Sequence, residues 1–191
     1  MTGISCDKKE IRRELIRRRA ALDRDDRDLF DKAILDALTS LDEYKKADLI
    51  LTYVSYNDEV DTLNLIDRCL SEGKPVACPR CRVEDDRYLL DFYRITSRDD
   101  LVKGYKGIPE PIGNELSKLG DEDMVNALII VPMVGYDRES NRIGYGKGFY
   151  DRFLAAHKGL TSIGLAYRCQ EYEKLPADEF DIRPDIIINE S

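Results

Sequence analysis

The stretch ALIIVPMV, residues 127–134, is the most strongly apolar segment of this 191-residue chain. A short apolar run without polar alternation is typical of a strand buried on both faces of a sheet, so we predict that it is the central strand. The next motif, NRIGYGKGFYDRFL at 141–154, brings together three glycines, cations and a carboxylate. Its apolar side chains become regular only from Phe149 onward, which predicts a loop followed by a helix through about residue 157.

Strands and helices are predicted to alternate along the rest of the chain. Further strands are expected at 47–54, 75–79, 87–95, 161–167 and 184–189, with 87–95 at an edge because its side chains alternate. Further helices are expected at 7–22, 25–39 and 61–73. This order favours an α/β fold with a mainly parallel sheet covered on both faces. Because we find no linker or internal repeat, we expect one domain over residues 1–191.

Capping residues and apolar faces support the predicted helices. Asp7 with Glu10 three residues later is typical of a helix start, and Gly73 of a helix end. Asp61 or Thr62 is the expected N-cap of the 61–73 helix. The first helix has an apolar stripe at Ile11, Leu15 and Leu22, and the second is expected to bury Leu29, Ile34, Leu35 and Leu38.

The composition excludes several classes of protein. With 42% hydrophobic and 36% charged residues, the chain can bury a core. It has no run of about 18 apolar residues, so we expect no membrane span. The first ten residues, MTGISCDKKE, lack the apolar stretch of a secretory signal. The five cysteines, an odd and scattered set, fit a reducing cytoplasm better than a disulfide framework.

Charge is distributed unevenly along the chain. Residues 8–24 hold eight Lys or Arg and three Asp or Glu, a charge of +5, which leaves −13 for the rest of the net −8. An acidic body argues against a nucleic-acid partner, because a polyanion would be repelled over most of the surface. The basic segment is either a solvated helix face or a site for a small, highly charged anion.

The glycine loop is the strongest candidate for binding such an anion. Gly144, Gly146 and Gly148 lie just before a predicted helix, where backbone N–H groups and the helix dipole favour phosphate. Arg142 and Lys147 add positive charge. The spacing G-x-G-x-G matches neither the P-loop nor the dinucleotide-binding fingerprint, and a plain loop is the alternative.

Four other charged residues, two of them a pair, also have more than one interpretation. Lys8 and Arg12 share a helix face, either by chance or because an anion lies between them. Asp151, in the first turn of the helix after the loop, either balances the helix dipole or holds Mg²⁺ on nucleotide phosphates. Glu59, after the 47–54 strand, either accepts hydrogen bonds from a ligand's N–H groups or is a solvated loop residue.

The CPRC motif at 78–81 and the single histidine give little support for a metal or redox site. Zinc needs four ligands, but there is no second C-x-x-C and only His157. Buried cysteines at a strand end explain the motif better. By contrast, residues 55–61, 135–151 and 166–185 all follow predicted strands, and the carboxyl ends of parallel strands meet at one edge. We therefore expect a single site there.

Taken together, these residues resemble the 5-formyltetrahydrofolate cyclo-ligase (5,10-methenyltetrahydrofolate synthetase) family. The most specific block is VPMVGYDRESNRIGYGKGFYD at 131–151. The resemblance also covers KKEIRREL at 8–15, NDEVDT at 57–62, GIPEP at 107–111, IGLAYRCQ at 163–170 and LPADEFDIRPDIIINE at 175–190. It extends over almost the whole chain.

The resemblance implies a three-layer α/β domain, with the architecture of sugar-phosphate isomerases and CoA-transferases. It also implies an ATP- and Mg²⁺-dependent ligase of folate and one-carbon metabolism, expected to be a cytoplasmic monomer. ATP would phosphorylate the formyl oxygen of 5-formyltetrahydrofolate, and N10 would then attack the activated carbon. The products would be 5,10-methenyltetrahydrofolate, ADP and phosphate.

Residue roles follow from the same resemblance. Lys147 and Arg142 would be catalytic, and Asp151 and Asp181 would bind the metal, whereas Asp185 would be structural. ATP would be bound by Lys8, Arg12, Arg142, Ile143, Gly144, Tyr145, Gly146, Lys147, Gly148, Phe149 and Tyr150. The folate would be bound by Val54, Glu59, Tyr145, Gly146, Lys147, Gly148 and Phe149, with Glu59 at the polar edge of the pterin.

Some positions depart from the family pattern. Phe149 stands where many relatives have a tyrosine, and Lys106 where some have an aromatic residue, with Tyr105 as its possible substitute. Tyr145 occupies a variable position between glycines, and we assign it no specific ligand contact. Two rival hypotheses remain open, namely a sugar-phosphate isomerase or CoA-transferase, and a nucleotide-sensing module without turnover.

Overall fold

The computed structural model describes residues 7–191. In chain order its strands are β1 (Leu49–Leu51), β2 (Val76–Glu84), β3 (Arg87–Ile95), β4 (Leu101–Lys103), β5 (Pro109–Pro111), β6 (Ala127–Pro132), β7 (Gly135–Tyr136), β8 (Arg142–Ile143), β9 (Thr161–Leu165) and β10 (Ile186–Ile188). Its α-helices are α1 (Lys8–Ala20), α2 (Arg24–Ser40), α3 (Asp42–Lys46), α4 (Leu63–Glu72) and α5 (Phe149–Ala156).

Six strands form the central sheet, in the order β10-β9-β6-β1-β2-β3. All neighbours run parallel except β2 and β3, which are joined as an antiparallel hairpin. This confirms β6 as a central strand and β3 as an edge strand. The pairs β4–β5 and β7–β8 form two small antiparallel sheets of their own.

Helices cover both faces of this sheet. Alternate residues of β1 show the two faces, because Ile50 packs in one apolar cluster while Leu49 and Leu51 pack in the other. The first cluster includes residues of α2, α3 and α4, and the second includes Phe153 and Leu154 of α5. The molecule is therefore a three-layer α/β sandwich, as the sequence predicted.

In α2, one apolar side chain that we expected to be buried is exposed, and an acidic side chain is buried. Leu29 is 63% exposed, so its expected burial was wrong. It precedes Ile34 by five residues, about 140° around the helix, and thus points away from the face that Ile34 and Leu38 bury. Asp31 lies on the buried face instead and accepts hydrogen bonds from the Tyr167 hydroxyl at 2.6 Å and the Asp61 amide at 3.0 Å.

Helix α1 lies outside the three layers and packs over the carboxyl edge of the sheet. Its buried residues Ile11 and Leu15 contact Val134, Ile143 and Leu175 in a separate cluster. Asp7 caps the helix by accepting from the Lys9 amide, as expected. Within residues 7–191, no helix combines the length and apolar character needed to cross a membrane.

Candidate functional site

The loops after β1 and β6 leave the sheet side by side. The chain passes from β1 to β2 on one side, whereas β6 lies on the other side of β1. At such a reversal the loops diverge and leave a crevice at the carboxyl ends of the strands. Arg19 Nε of α1 lies 3.7 Å from Asp58 in the loop after β1, and Arg19 Nη2 donates to the Tyr145 hydroxyl in the segment after β6. Arg142 in that same segment donates to the carbonyl of Ile182. The predicted meeting of the segments 55–61, 135–151 and 166–185 is confirmed, and the ligand site there stays a prediction.

The glycine loop presents unpaired backbone donors. Gly146 and Gly148 have φ angles of 87° and 67°, which turn the chain into the N-terminus of α5. Within residues 7–191, the N–H groups of residues 144–148 have no hydrogen-bond partner. Consecutive free N–H groups at a helix N-terminus form an anion-binding site.

Arg12 of α1 lies directly over this loop. Its Nε donates to the carbonyl oxygen of Gly144 at 2.5 Å. A Cβ atom placed on Gly146 would lie 3.2 Å from Nη2 of Arg12, so only glycine lets the guanidinium come this close without displacement. Arg12 therefore adds positive charge beside the free N–H groups.

Lys147 is exposed and points toward β3. Its Nζ donates to the Tyr88 hydroxyl at 3.1 Å and lies 4.8 Å from the Tyr88 ring centre. The hydrogen bond with Tyr88 raises the pKa of Lys147, so the amine is protonated at neutral pH. Because no carboxylate of residues 7–191 forms an ion pair with it, Lys147 is available to an anion.

Arg142 is buried beneath the loop and is fixed on two sides. Its Nη2 donates to Asp151 Oδ1 at 2.6 Å and its Nε to the Ile182 carbonyl at 2.9 Å. Burial lowers the pKa of Arg142, and the charge of Asp151 offsets part of that effect. The same Asp151 oxygen accepts from the Ile182 amide at 3.1 Å.

The second predicted metal ligand, Asp181, is paired with Lys8. Lys8 Nζ lies 2.6 Å from an oxygen of both Asp178 and Asp181. Burial alone would raise the pKa of Asp181, but the hydrogen bond from Lys8 and the Asp178 amide lower it overall. Within residues 7–191 no three or more His, Cys, Asp or Glu side chains gather into a group that could hold a metal ion.

Glu59 belongs to a polar cluster that the sequence did not predict, in which Arg19 is buried, Glu59 is half-buried and Tyr145 is 52% exposed. Its Oε2 accepts from the Tyr56 amide at 3.0 Å, and its carboxyl group also hydrogen-bonds Tyr145. Burial raises the pKa of Glu59. The Tyr145 hydroxyl in turn accepts from Arg19 Nη2 at 2.8 Å. Tyr145, for which we predicted no specific contact, thus links α1 to the loop after β1.

Aromatic rings line the crevice on the side of Lys147. Phe149 makes edge-to-face contacts with Tyr88 and Tyr105, at ring-centre distances of 5.2 and 6.2 Å. Tyr105, which the sequence offered as a substitute for the aromatic residue that some relatives have at Lys106, thus lies beside Phe149, and its role in a ligand site stays a prediction. Tyr150 packs between the two apolar clusters, and burial raises its pKa well above the ordinary value.

The other predicted residues have simpler surroundings. The side chain of Val54 is buried in the core and that of Ile143 packs under α1, so only their backbone groups are left for the predicted ligand contacts. Asp185 accepts from the Ser162 amide and hydroxyl at 2.8 Å each, which supports its structural role at the last strand. Cys78 is buried within β2, and the four described cysteines are free thiols.

Sequence reasoning missed Arg19, Tyr88 and Arg152. Arg152 Nη1 donates to the Lys147 carbonyl at 2.7 Å and so supports the glycine loop. Arg19 follows Ile11 and Leu15 at intervals of four, which places an arginine on the apolar face of α1. That spacing was the available signal. Nothing in the sequence of β3 singles out Tyr88.

Comparisons with known proteins identify the family and the fold. A family model described as the 5-formyltetrahydrofolate cyclo-ligase family matches residues 4–190. The 5-formyltetrahydrofolate cyclo-ligase of Haemophilus influenzae is 30% identical over 177 residues, which cover 92% of this chain and 93% of that protein. The NMR structure of Aquifex aeolicus 5,10-methenyltetrahydrofolate synthetase has a TM-score of 0.78 at 34% identity, covering 94% of this chain and 88% of that one. A synthetase of the same description from Mycoplasma pneumoniae shares the fold, with a TM-score of 0.75 at 24% identity over 97% of this chain and 100% of that one.

Proposed function

Because the chain belongs to the 5-formyltetrahydrofolate cyclo-ligase family, we propose that the crevice at the carboxyl edge of its sheet binds ATP and 5-formyltetrahydrofolate side by side. The protein converts 5-formyltetrahydrofolate to 5,10-methenyltetrahydrofolate with ATP. The observation that carries the site assignment is the row of free N–H groups at residues 144–148, which lies beside the guanidinium of Arg12.

The triphosphate is assigned to the glycine loop. Residues 143–150 supply the backbone around it, and Lys8, Arg12, Arg142 and Lys147 supply positive charge. Phosphoryl transfer depends mainly on alignment and on neutralising charge as the γ-phosphoryl group moves. Arg142 is held rigidly by Asp151 and Ile182, whereas Lys147 is free to follow the phosphate. We therefore assign both a catalytic role.

The folate is assigned to the space between Glu59 and the glycine loop. The carboxylate of Glu59 accepts hydrogen bonds, so it suits the N–H groups at the polar edge of a pterin. Val54, Tyr145 and residues 146–149 border the same space. The rings of Phe149, Tyr105 and Tyr88 offer an apolar wall for a flat ligand.

This arrangement fits a reaction in two steps. The formyl oxygen attacks the γ-phosphorus of ATP and ADP leaves, which turns a poor leaving group into phosphate. N10 of the same folate then bonds to the formyl carbon, loses its proton and expels phosphate. Because the second step is intramolecular, holding the folate bent supplies much of its rate enhancement.

Asp151 and Asp181 fit a Mg²⁺ site. Each carboxylate has one oxygen without a hydrogen bond among residues 7–191, and the charges of both act on Arg142. Two carboxylates completed by phosphate oxygens are a usual donor set for Mg²⁺. When bound there, the ion would neutralise charge on the ATP phosphates.

A spectroscopic assay tests this function. Purified protein is mixed with 5-formyltetrahydrofolate and MgATP, and the methenyl chromophore is followed in the near ultraviolet. We expect a signal that requires ATP and disappears with excess chelator. Folded protein that gives no ATP-dependent signal would favour the rival hypotheses of a sugar-phosphate isomerase, a CoA-transferase or a nucleotide-sensing module.

The compartment, the oligomeric state, the domain organisation and the absence of a nucleic-acid partner are proposals as well. We propose a cytoplasmic monomer that forms one domain over residues 1–191 and has no nucleic-acid partner. Size-exclusion chromatography with light scattering, with and without substrates, tests the monomer.

A further inference from the structure

Arg19 is a buried cation that neither the ATP site nor the folate site assigned above uses. It lies near the C-terminus of α1 and is 3% exposed. Burying an arginine side chain is costly unless its charge and donors are used. Its Nη1 lies 3.4 Å from the Met133 carbonyl at the end of β6, and its Nη2 lies 2.8 Å from the Tyr145 hydroxyl.

The charge of Arg19 is only partly neutralised. Its nearest carboxylate is Asp58, whose Oδ2 lies 3.7 Å from Nε. Nε itself has no hydrogen-bond partner among residues 7–191. The guanidinium therefore directs its best-formed hydrogen bond, and much of its charge, toward Tyr145 and the carboxylates of the loop after β1.

Tyr145 passes this interaction on to Glu59. Its hydroxyl accepts from Arg19 and hydrogen-bonds the Glu59 carboxyl group. The three residues come from α1, the glycine loop and the loop after β1, so the contact ties together the elements that border the crevice. A phenol that donates to a carboxylate while it accepts from a cation strengthens both hydrogen bonds.

The surroundings of Glu59 make its ionisation depend on these neighbours. Burial raises the pKa of Glu59, whereas the Tyr56 amide, the charge of Arg19 and the hydrogen bond with Tyr145 lower it. Asp58 is the neighbouring charge that opposes ionisation. Two further phenols, Tyr53 and Tyr150, face it but are themselves buried and neutral.

We infer that Arg19 is a positioning residue of the folate site, which acts through the Tyr145 hydroxyl to orient Glu59 and hold it as a carboxylate for the pterin N–H groups. The inference rests on the proposed role of Glu59. Helix α1 then serves both ligands. Lys8 and Arg12 near its N-terminus are assigned to the phosphates, and Arg19 near its C-terminus supports the folate site.

The test measures 5-formyltetrahydrofolate binding by calorimetry without ATP, between about pH 6 and about pH 8.5, where ordinary carboxylates do not titrate. In Arg19→Met, Glu59 should take up a proton at higher pH than in the wild type. We expect the affinity to fall about tenfold near pH 6 and less than about threefold near pH 8.5. ATP affinity should stay within about twofold of the wild type.

Four other variants separate the possible causes. Tyr145→Phe removes the linking hydroxyl. Its loss of folate affinity should be smaller than that of Arg19→Met but should depend on pH in the same way. Arg19→Lys keeps the charge and should restore most of the wild-type pH profile. Arg17→Met, on the exposed face of the same helix, is the matched control and should bind like the wild type. Glu59→Gln should bind weakly at every pH.

The outcomes distinguish this inference from the function on which it rests. If Glu59→Gln binds weakly but Arg19→Met matches the wild type, or loses affinity equally at every pH, Arg19 is only structural and the inference is overturned. If Glu59→Gln binds like the wild type, the assigned role of Glu59 fails as well. Thermal melting checks the fold of each variant. Should Arg19→Met not fold, an unchanged pH profile in Tyr145→Phe would overturn the inference.

Discussion

Arg142 Nη2 and Asp151 Oδ1 form an ion pair of 2.6 Å that closes the glycine loop at its base. Arg142 begins β8 just before the loop, and Asp151 lies in the first turn of α5 just after it. The pair thus fixes both ends of residues 144–148, whose N–H groups we assign to the triphosphate. Since the Arg142 side chain is only 5% exposed, water screens the pair weakly.

Replacing Arg142 by methionine should therefore reduce both stability and turnover. The change leaves the Asp151 carboxylate without its cation and the Ile182 carbonyl without its side-chain donor. We expect a loss of about 2–3 kcal/mol in the free energy of unfolding, below the range for a fully buried pair because the Asp151 side chain is 23% exposed. Urea unfolding measures the loss, and the methenyl assay measures turnover.

The double variant Arg142→Met/Asp151→Asn is the control for this prediction. With both charges removed, no uncompensated carboxylate remains, so part of the lost stability should return. Turnover should not return, because the cation is still missing and an assigned Mg²⁺ ligand has been removed as well. Recovery of turnover in the double variant would contradict the catalytic role of Arg142.

Lys147→Ala, unlike Arg142→Met, should keep the stability of the protein and lose most of its activity. Lys147 is exposed and, among residues 7–191, its side chain is bonded only to Tyr88, so the midpoint of thermal unfolding should not move. If Lys147 stabilises charge during phosphoryl transfer, kcat should fall about a hundredfold or more. Lys158→Ala, an exposed lysine beyond α5, is the matched control. Wild-type turnover in Lys147→Ala would remove the phosphate role.

The pairing of Lys8 with Asp181 predicts a pH dependence of stability. The pKa of Asp181 is lowered, so its contribution is present above the unfolded value of about 3.9 and is lost as the pH falls through the folded value. The pKa of Lys8 is raised despite desolvation, through its hydrogen bonds with Asp178 and Asp181. Its contribution is lost only as the pH rises above about 10.

Lys8→Met should therefore destabilise the fold only between these limits. Lys8 and Asp181 are about a quarter exposed, so we expect a loss of at most about 1 kcal/mol at neutral pH. The difference from the wild type should shrink below about pH 4. Urea unfolding at several pH values measures this difference in the free energy of unfolding. If the difference stays the same in acid, the pairing of Lys8 with Asp181 is contradicted.

The sequence predicted local features and missed long-range ones. The apolar run at 127–134 and the glycine loop before a helix identified β6, the crevice and α5. However, β2 extends to Glu84, five residues past the predicted strand end at 79. Its outer half carries charged side chains, and the hairpin turn uses Asp85 and Asp86 at φ angles of 46° and 60° without a glycine. Neither is a usual strand or turn signal.

The same limit applies to the site. Lys147 and Gly144 were found because their residue types and spacing indicate phosphate binding. Tyr88 was not, because its contact with Lys147 joins residues 59 positions apart. Arg19 and Tyr145 are 126 positions apart, and only the crossing of α1 over the sheet edge brings them together. Pairings of this kind depend on topology, which local patterns do not contain.

Gly146→Ala tests whether the conformation of the glycine loop is required for nucleotide binding. At a φ of 87° an alanine costs about 1–2 kcal/mol, and its Cβ would lie 3.2 Å from Arg12 Nη2. We expect the substitution to displace Arg12 and weaken ATP binding about tenfold, the equivalent of one charge-assisted hydrogen bond. Folate binding without ATP should change less. Gly159→Ala, with nothing within 4 Å of its Cβ, should leave both unchanged, as measured by calorimetry. Wild-type ATP affinity in Gly146→Ala would place the triphosphate elsewhere.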